Sequence, residues 1–135
     1  MKQLQITSQD LLEKSRQRIE EVSAEQAHEE HAGDVVFLDV RDEIEVREDA
    51  LIPGAIHVPR GLIEFKADPT SDYHENVFDP ETRYICYCTV GHRSTFVTDR
   101  LDTMGYDIAN LAGGIEAWRE AGGNVEPYER SPTAE

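Results

Sequence analysis

Cys88 lies between a run of aromatic and β-branched residues, Tyr84-Ile85-Cys86-Tyr87, and the segment Thr89-Val90-Gly91-His92-Arg93-Ser94-Thr95-Phe96. The first run has the composition of a buried strand. Gly91 permits a tight turn, and beyond it Phe96, Val97, Leu101 and Met104 form the apolar stripe of a helix that starts near Ser94. A strand that passes through a short loop into a helix gathers inward-pointing N–H groups around one point. Cys88 is the residue that enters that point. A helix N-terminus and a nearby arginine, Arg93, both favour negative charge, so this thiol is expected to ionise more easily than a free one. The chemistry implied is that of a cysteine nucleophile.

The elements that must hold this thiol in place follow from the rest of the chain. Ser8 to Val22 is predicted as an amphipathic helix, with Leu11, Leu12, Ser15, Ile19 and Val22 along one side and Thr7 or Ser8 as its cap. Ser23-Ala24-Glu25-Gln26 has capping-box spacing and starts a second helix that Gly33 ends. Its His28 and His31 lie among glutamates and are expected to be solvated rather than metal-bound. Val35 to Val40 is a near-continuous apolar run, as in a strand buried on both faces of a parallel sheet. Asp39 and Arg41 mark where that strand ends. A short strand is predicted over Ala55–Val58, helical turns within Gly61–Lys66, and a polar surface loop from Asp68 to Thr82. After the central helix come a strand at Ile108–Leu111, a Gly113-Gly114 turn, and a helix from Ile115 to Ala121 in which Trp118 is expected to fill the core. Strands alternating with short helices indicate an α/β domain with a parallel sheet, whose ligand sites lie beyond the carboxyl ends of the strands. Asp39 and Cys88 are both at such ends.

The totals set bounds. A chain of 135 residues is most simply one domain. Met1 to Asp10 has no apolar run, and no stretch approaches the roughly 20 apolar residues of a membrane span. Two cysteines separated by one residue do not make a disulfide framework, so a cytoplasmic protein in a reducing compartment is expected. The net charge is −15, from 28 acidic and 13 basic residues, which makes nucleic acid and anionic membranes poor partners. An acidic, lysine-poor surface also suits a high-salt cytoplasm, although solubility alone accounts for it equally well.

Four pieces of the sequence, in order and in register, closely resemble the rhodanese-like (thiosulfate sulfurtransferase) family. They are Leu38-Asp39-Val40-Arg41 with Glu45 after it, Ile52-Pro53-Gly54-Ala55-Ile56-His57-Val58-Pro59, Tyr87-Cys88 through Gly91-His92-Arg93-Ser94, and Leu111-Ala112-Gly113-Gly114-Ile115-Glu116-Ala117-Trp118 followed by Gly122. The resemblance implies a five-stranded parallel sheet flanked by helices on both faces, over residues 23–126. Residues 1–22 would then be an N-terminal helical extension and 127–135 a flexible C-terminal tail. It implies a single-domain sulfurtransferase in which Cys88 takes a sulfane sulfur from thiosulfate or a persulfide, becomes a persulfide itself, and passes the sulfur to a thiol or cyanide. A small thiol protein is a further acceptor class. Thr89, Val90, Gly91, His92 and Arg93 would form the substrate-binding loop, and Asp39, Arg41 and Ser94 would support it. No metal and no cofactor is implied.

The residues leave other chemistries open. Thr89 and Val90 are uncharged, so only His92 and Arg93, with Arg60 nearby, supply positive charge to an anionic donor; a persulfide or polysulfide fits as well as thiosulfate. Cysteine phosphatases and arsenate reductases also seat a thiolate in an N–H cradle, but with five residues between Cys and Arg. Here four residues separate Cys88 from Arg93, a smaller loop suited to one sulfur atom. A non-catalytic binding or sulfur-carrier module, a Cys86/Cys88/His92 metal site, and Cys86 as a resolving thiol are the remaining alternatives.

Overall fold

The computed structural model describes residues 2–129. Five parallel strands form one sheet in the order β1-β5-β4-β2-β3. They are β1 (Glu20–Val22), β2 (Val35–Asp39), β3 (Ile56–His57), β4 (Arg83–Tyr87) and β5 (Asp107–Leu111). The helices are α1 (Ser8–Arg18), α2 (Ala24–His31), α3 (Glu43–Glu48), α4 (Ile63–Lys66, led in by a 3₁₀ turn at Arg60–Leu62), α5 (His92–Met104) and α6 (Gly114–Glu120).

The helix expected over Ser8–Val22 stops four residues early. Thr7 caps it, its hydroxyl accepting from the Asp10 N–H at 3.1 Å. Ile19 then turns extended, and Glu20–Val22 pair with Ala109–Leu111 as the edge strand β1. A helical stripe through Ile19 and Val22 was one way to bury them; β-branched residues beside a bare sheet edge are better served by joining it. Residues before Ser23 therefore contribute a strand of the sheet as well as a helix. Ser23 caps α2 as its spacing predicts, accepting from the Gln26 N–H at 3.1 Å.

The central strand places its side chains alternately on two cores. Tyr84, Cys86 and Cys88 join Leu38, Val97, Leu101 and Tyr106 on one side; Ile85 and Tyr87 join Phe37, Leu111 and Trp118 on the other. Burial on both faces explains the unbroken apolar runs. Trp118 is 1% exposed, with His28 stacked on it at 4.1 Å between centroids. His28 and His31 thus belong to an aromatic cluster at the protein's edge, His31 bonding Pro53 O through Nε2 at 2.8 Å.

Polar anchors close the periphery. Arg83, at the start of β4, bonds Glu20, Glu30 and Asp107, tying β1, α2 and β5 together. The Asp68–Thr82 loop is fastened by Phe78, buried beside Tyr84 and Tyr106, and by the Tyr84 hydroxyl, which donates to Val77 O at 2.6 Å. The segment after Asn124, whose residues 127–135 the resemblance makes a flexible tail, is attached as far as it is described. Glu126 and Leu51 exchange two backbone bonds of 2.8 Å, Trp118 Nε1 donates to Asn124 O, and the Tyr128 ring lies edge-on to His57. Residues 130–135 of the expected tail fall outside the described residues.

Candidate active site

Cys88 is the last of the row Tyr84, Cys86, Cys88 and leaves the carboxyl end of β4. The residue is 1% exposed. Although it closes the apolar core, its sulfur faces polar groups: the Gly91 N–H donates to Sγ at 3.2 Å, and the Ser94 hydroxyl lies 3.4 Å away. The sequence predicts a ring of amides around the thiol. One amide, that of Gly91, reaches the sulfur. The N–H groups of His92, Arg93 and Ser94, in the first turn of α5, donate to no acceptor among the described residues. Thr89 is half-buried, while Val90 and His92 are exposed.

The loop owes its shape to the helix that follows β5. The Ile115 N–H donates to Cys88 O at 2.9 Å, and the Glu116 N–H to Thr89 O at 3.2 Å. The start of α6 thus binds the carbonyl side of both peptides, fixing how the loop's amide planes are turned. Gly114 makes the approach possible. At φ +64° it holds a left-handed backbone, and a Cβ there would lie 2.4 Å from Thr89 O and 2.5 Å from Cys88 O. Gly91, at φ +100°, turns the chain into α5, and its carbonyl accepts from the Thr95 hydroxyl at 2.6 Å. The role of Gly114 is not visible from spacing alone. The sign it leaves is the glycine pair Gly113-Gly114, which a one-turn reading does not require.

Arg93 takes up a bracing position. Its guanidinium makes a two-pronged pair with Glu45 of α3, at 2.6 and 2.9 Å, and reaches Thr89 Oγ1 at 3.4 Å. The positive charge expected beside the thiol is therefore compensated by a carboxylate. Arg93 holds the loop to α3 and has little free charge to offer an anionic donor. The hydrogen bond from Arg93 keeps the Glu45 carboxyl below the ordinary glutamate range. A lowered folded-state value stabilises the latch above the unfolded value of about 4.3, and that contribution is lost as pH falls through the folded value. Glu45→Gln is expected to lower the reactivity of the Cys88 thiol by about threefold, the scale of a partly exposed ion pair. In a pH profile of that reactivity, any acid-side fall that comes from this latch is expected to be missing from the variant.

Asp39 and Arg41 stand apart from Cys88. Both are buried, and Arg41 bonds Asp39 through Nε at 3.1 Å and Nη2 at 2.7 Å, Asp49 at 2.9 Å, and Ala50 O at 2.6 Å. This pair anchors the residues after α3 to the end of β2; neither side chain hydrogen-bonds to Cys88 or to residues 89–94. Cys86 lies fully buried below Cys88, and burial pushes its thiol well above the ordinary range, so it is poorly suited to attack as a resolving thiolate. Among the described residues no group of three or more His, Cys, Asp or Glu side chains is placed to hold a metal ion. No helix among them is long and apolar enough to cross a membrane.

Known proteins resemble this chain in sequence and fold. Residues 23–121 match the family described as rhodanese-like domain. A Bacillus subtilis (strain 168) protein named "Putative sulfurtransferase YtwF" is 32% identical over 102 residues, 74% of this chain and 90% of that one. A structure from Rhodopseudomonas palustris, described as a protein of unknown function and "Possible Tyrosine Phosphatase", is similar at TM-score 0.86 and 33% identity, over 93% of this chain and 98% of that one. The thiosulfate sulfurtransferase of Pseudomonas aeruginosa is similar at TM-score 0.65 and 25% identity; the match spans 88% of this chain and 22% of that longer one.

Proposed function

This chain belongs to the rhodanese-like family, and from that premise we propose that it is a sulfurtransferase working through a persulfide on Cys88. The observation that carries the reading is the position of Sγ, at the end of β4, 3.2 Å from the Gly91 amide and opposite an open first turn of α5. The Cys88 thiolate attacks the sulfane sulfur of the donor. With thiosulfate the S–S bond breaks toward sulfite; with an organic persulfide it breaks toward the thiol, which takes up a proton. In either case the electron pair leaves with the departing group and Cys88 carries one added sulfur. An acceptor thiolate or cyanide then attacks that outer sulfur and returns Cys88 as a thiolate, with no net oxidation or reduction beyond the transferred atom.

The outer sulfur of the persulfide would stand about 2 Å beyond Sγ. Turned toward the first turn of α5, it would meet the N–H groups of His92, Arg93 and Ser94, which donate to no acceptor among the described residues and would stabilise its charge. With Arg93 committed to Glu45, little fixed positive charge selects a dianionic donor, so an organic persulfide or polysulfide is the favoured substrate over thiosulfate.

A phosphatase reading is raised by the description of the Rhodopseudomonas protein. The four residues between Cys88 and Arg93, and the engagement of that arginine by Glu45, argue against seating a tetrahedral oxyanion. Single-turnover loading with thiosulfate, a glutathione persulfide and 3-mercaptopyruvate, run beside hydrolysis of p-nitrophenyl phosphate, tests the assignment. Faster loading by the persulfide than by thiosulfate supports it. Phosphate release that depends on Cys88, with no sulfur loading, overturns it.

A further inference from the structure

Helix α5 has a second face, away from the Cys88 loop, and a groove of about 450 Å³ runs along it. Phe96 and Val97 of α5 line its floor. The packing of α1 and α4 against α5 puts Leu11 and Lys14 on one wall and Arg60 and Ile63 on the other. The volume lies in the range of small-molecule sites, roughly 300–1,000 Å³.

Two of the groove's cations are already neutralised: Arg18 pairs with Asp99, and Arg100 with Glu64 at 2.9 Å. Lys14 and Arg60 form no salt bridge among the described residues, although Asp10 lies near the first and Glu64 near the second. The Arg60 guanidinium lies instead over the Phe96 ring, 5.7 Å from its centroid. Apart from Arg16, every other arginine of the described chain is ion-paired. On a chain of net charge −15, two cations outside any salt bridge thus line one groove, Lys14 on one wall and Arg60 from the other, reaching over Phe96. We propose that this groove binds a small organic dianion whose two acid groups flank an apolar middle, one end held by Lys14 and the other by Arg60.

The surrounding acidic surface excludes extended polyanions, while two separated cations favour a ligand with two separated charges. Arg60 also connects the groove to the active edge of the sheet. Its N–H donates to Val40 O at 3.2 Å, and the Val40 N–H donates to Tyr87 O at 3.1 Å, one residue before Cys88. Two strand spacings put the Arg60 backbone roughly 10 Å from β4. The groove is therefore a separate site beside the catalytic one, and its existence does not depend on sulfur transfer.

The probes are the α,ω-dicarboxylates from adipate to sebacate, with octanoate as the monoanionic control, titrated into the full chain and followed by amide NMR shifts. The expected result is saturable shifts confined to α1, the 3₁₀ turn at Arg60–Leu62 and α5, with octanoate weaker by about fivefold. Lys14→Gln and Arg60→Gln should each weaken the best dicarboxylate by about threefold to fivefold, as loss of one exposed charge contact would. The double variant should lose the preference for dicarboxylates. The spectra themselves report whether the variants remain folded. Equal affinity for octanoate, unchanged binding by the double variant, shifts elsewhere, or no saturable binding would each overturn the proposal.

Discussion

Replacing Cys88 with serine is expected to lower sulfur transfer by about 10³-fold or more while leaving the fold intact. A hydroxyl at neutral pH is a far poorer nucleophile toward sulfur than a thiolate, and no other described group is placed to substitute for it. Cys86, two residues away on the same face, is fully buried and its thiol is held protonated by that burial. The new hydroxyl would keep the polar neighbours of the old thiol, the Gly91 N–H and the Ser94 hydroxyl, so no buried donor is left unsatisfied. The melting temperature is therefore expected to change little, and the activity loss reports chemistry rather than unfolding. Transfer retained within tenfold of wild type would remove Cys88 from its role.

Gly114→Ala is expected to be nearly as damaging by another route. The added methyl would sit 2.4 Å from Thr89 O, well inside contact distance, on a backbone whose positive φ already disfavours any side chain. The left-handed conformation alone is worth about 1–3 kcal/mol against alanine, and the overlap is with rigid backbone rather than a side chain that could turn aside. Relief requires α6 to back away from the loop, and with it the bonds from Ile115 and Glu116 that hold the Cys88 and Thr89 carbonyls. A destabilisation of about 3 kcal/mol is expected, with transfer reduced about 100-fold, since misplacement of reacting groups by an ångström is worth that much. Gly122→Ala is the matched control. It too holds a positive φ but meets nothing within 4 Å, and it should lose stability without a comparable loss of transfer per folded molecule. Equal losses in both variants would mean that Gly114 serves the fold alone.

The sequence shows the sheet and the thiol more clearly than the fine structure around them. Residues 35–38 and 84–87, within β2 and β4, are continuous apolar runs because both faces of a parallel sheet are covered, and that pattern survives in a single sequence. Glu20–Val22 does not declare itself: three residues with two glutamates carry no period, and their strand character comes from the open edge of β5. The Asp68–Thr82 loop and the residues after Asn124 look detached for a similar reason. Their anchors are single side chains, Phe78 and Tyr84 for one and Trp118 with Glu126 for the other, and single anchors leave no repeat to detect.

Within the site, Cys88, Gly91 and Ser94 come together as their spacing predicts. Arg93 is in place, but Glu45 governs what it can do, and a pair 48 residues apart is invisible to local patterns. Asp39 and Arg41, expected as supports because they end a strand at the ligand edge, are bonded to each other, and Arg41 reaches on to Asp49 and Ala50. The clasp of Gly114, Ile115 and Glu116 on the loop carbonyls depends on main-chain contacts, which no residue type advertises.

The most direct test of the sulfur relay is the intact mass of the protein after brief exposure to a persulfide donor and removal of excess reagent. The account predicts one added sulfur atom on wild type, located on Cys88 by fragmentation, released on addition of cyanide, and missing from Cys88→Ser. A wild-type mass that stays unchanged, or an added sulfur that appears equally on the variant, would contradict it.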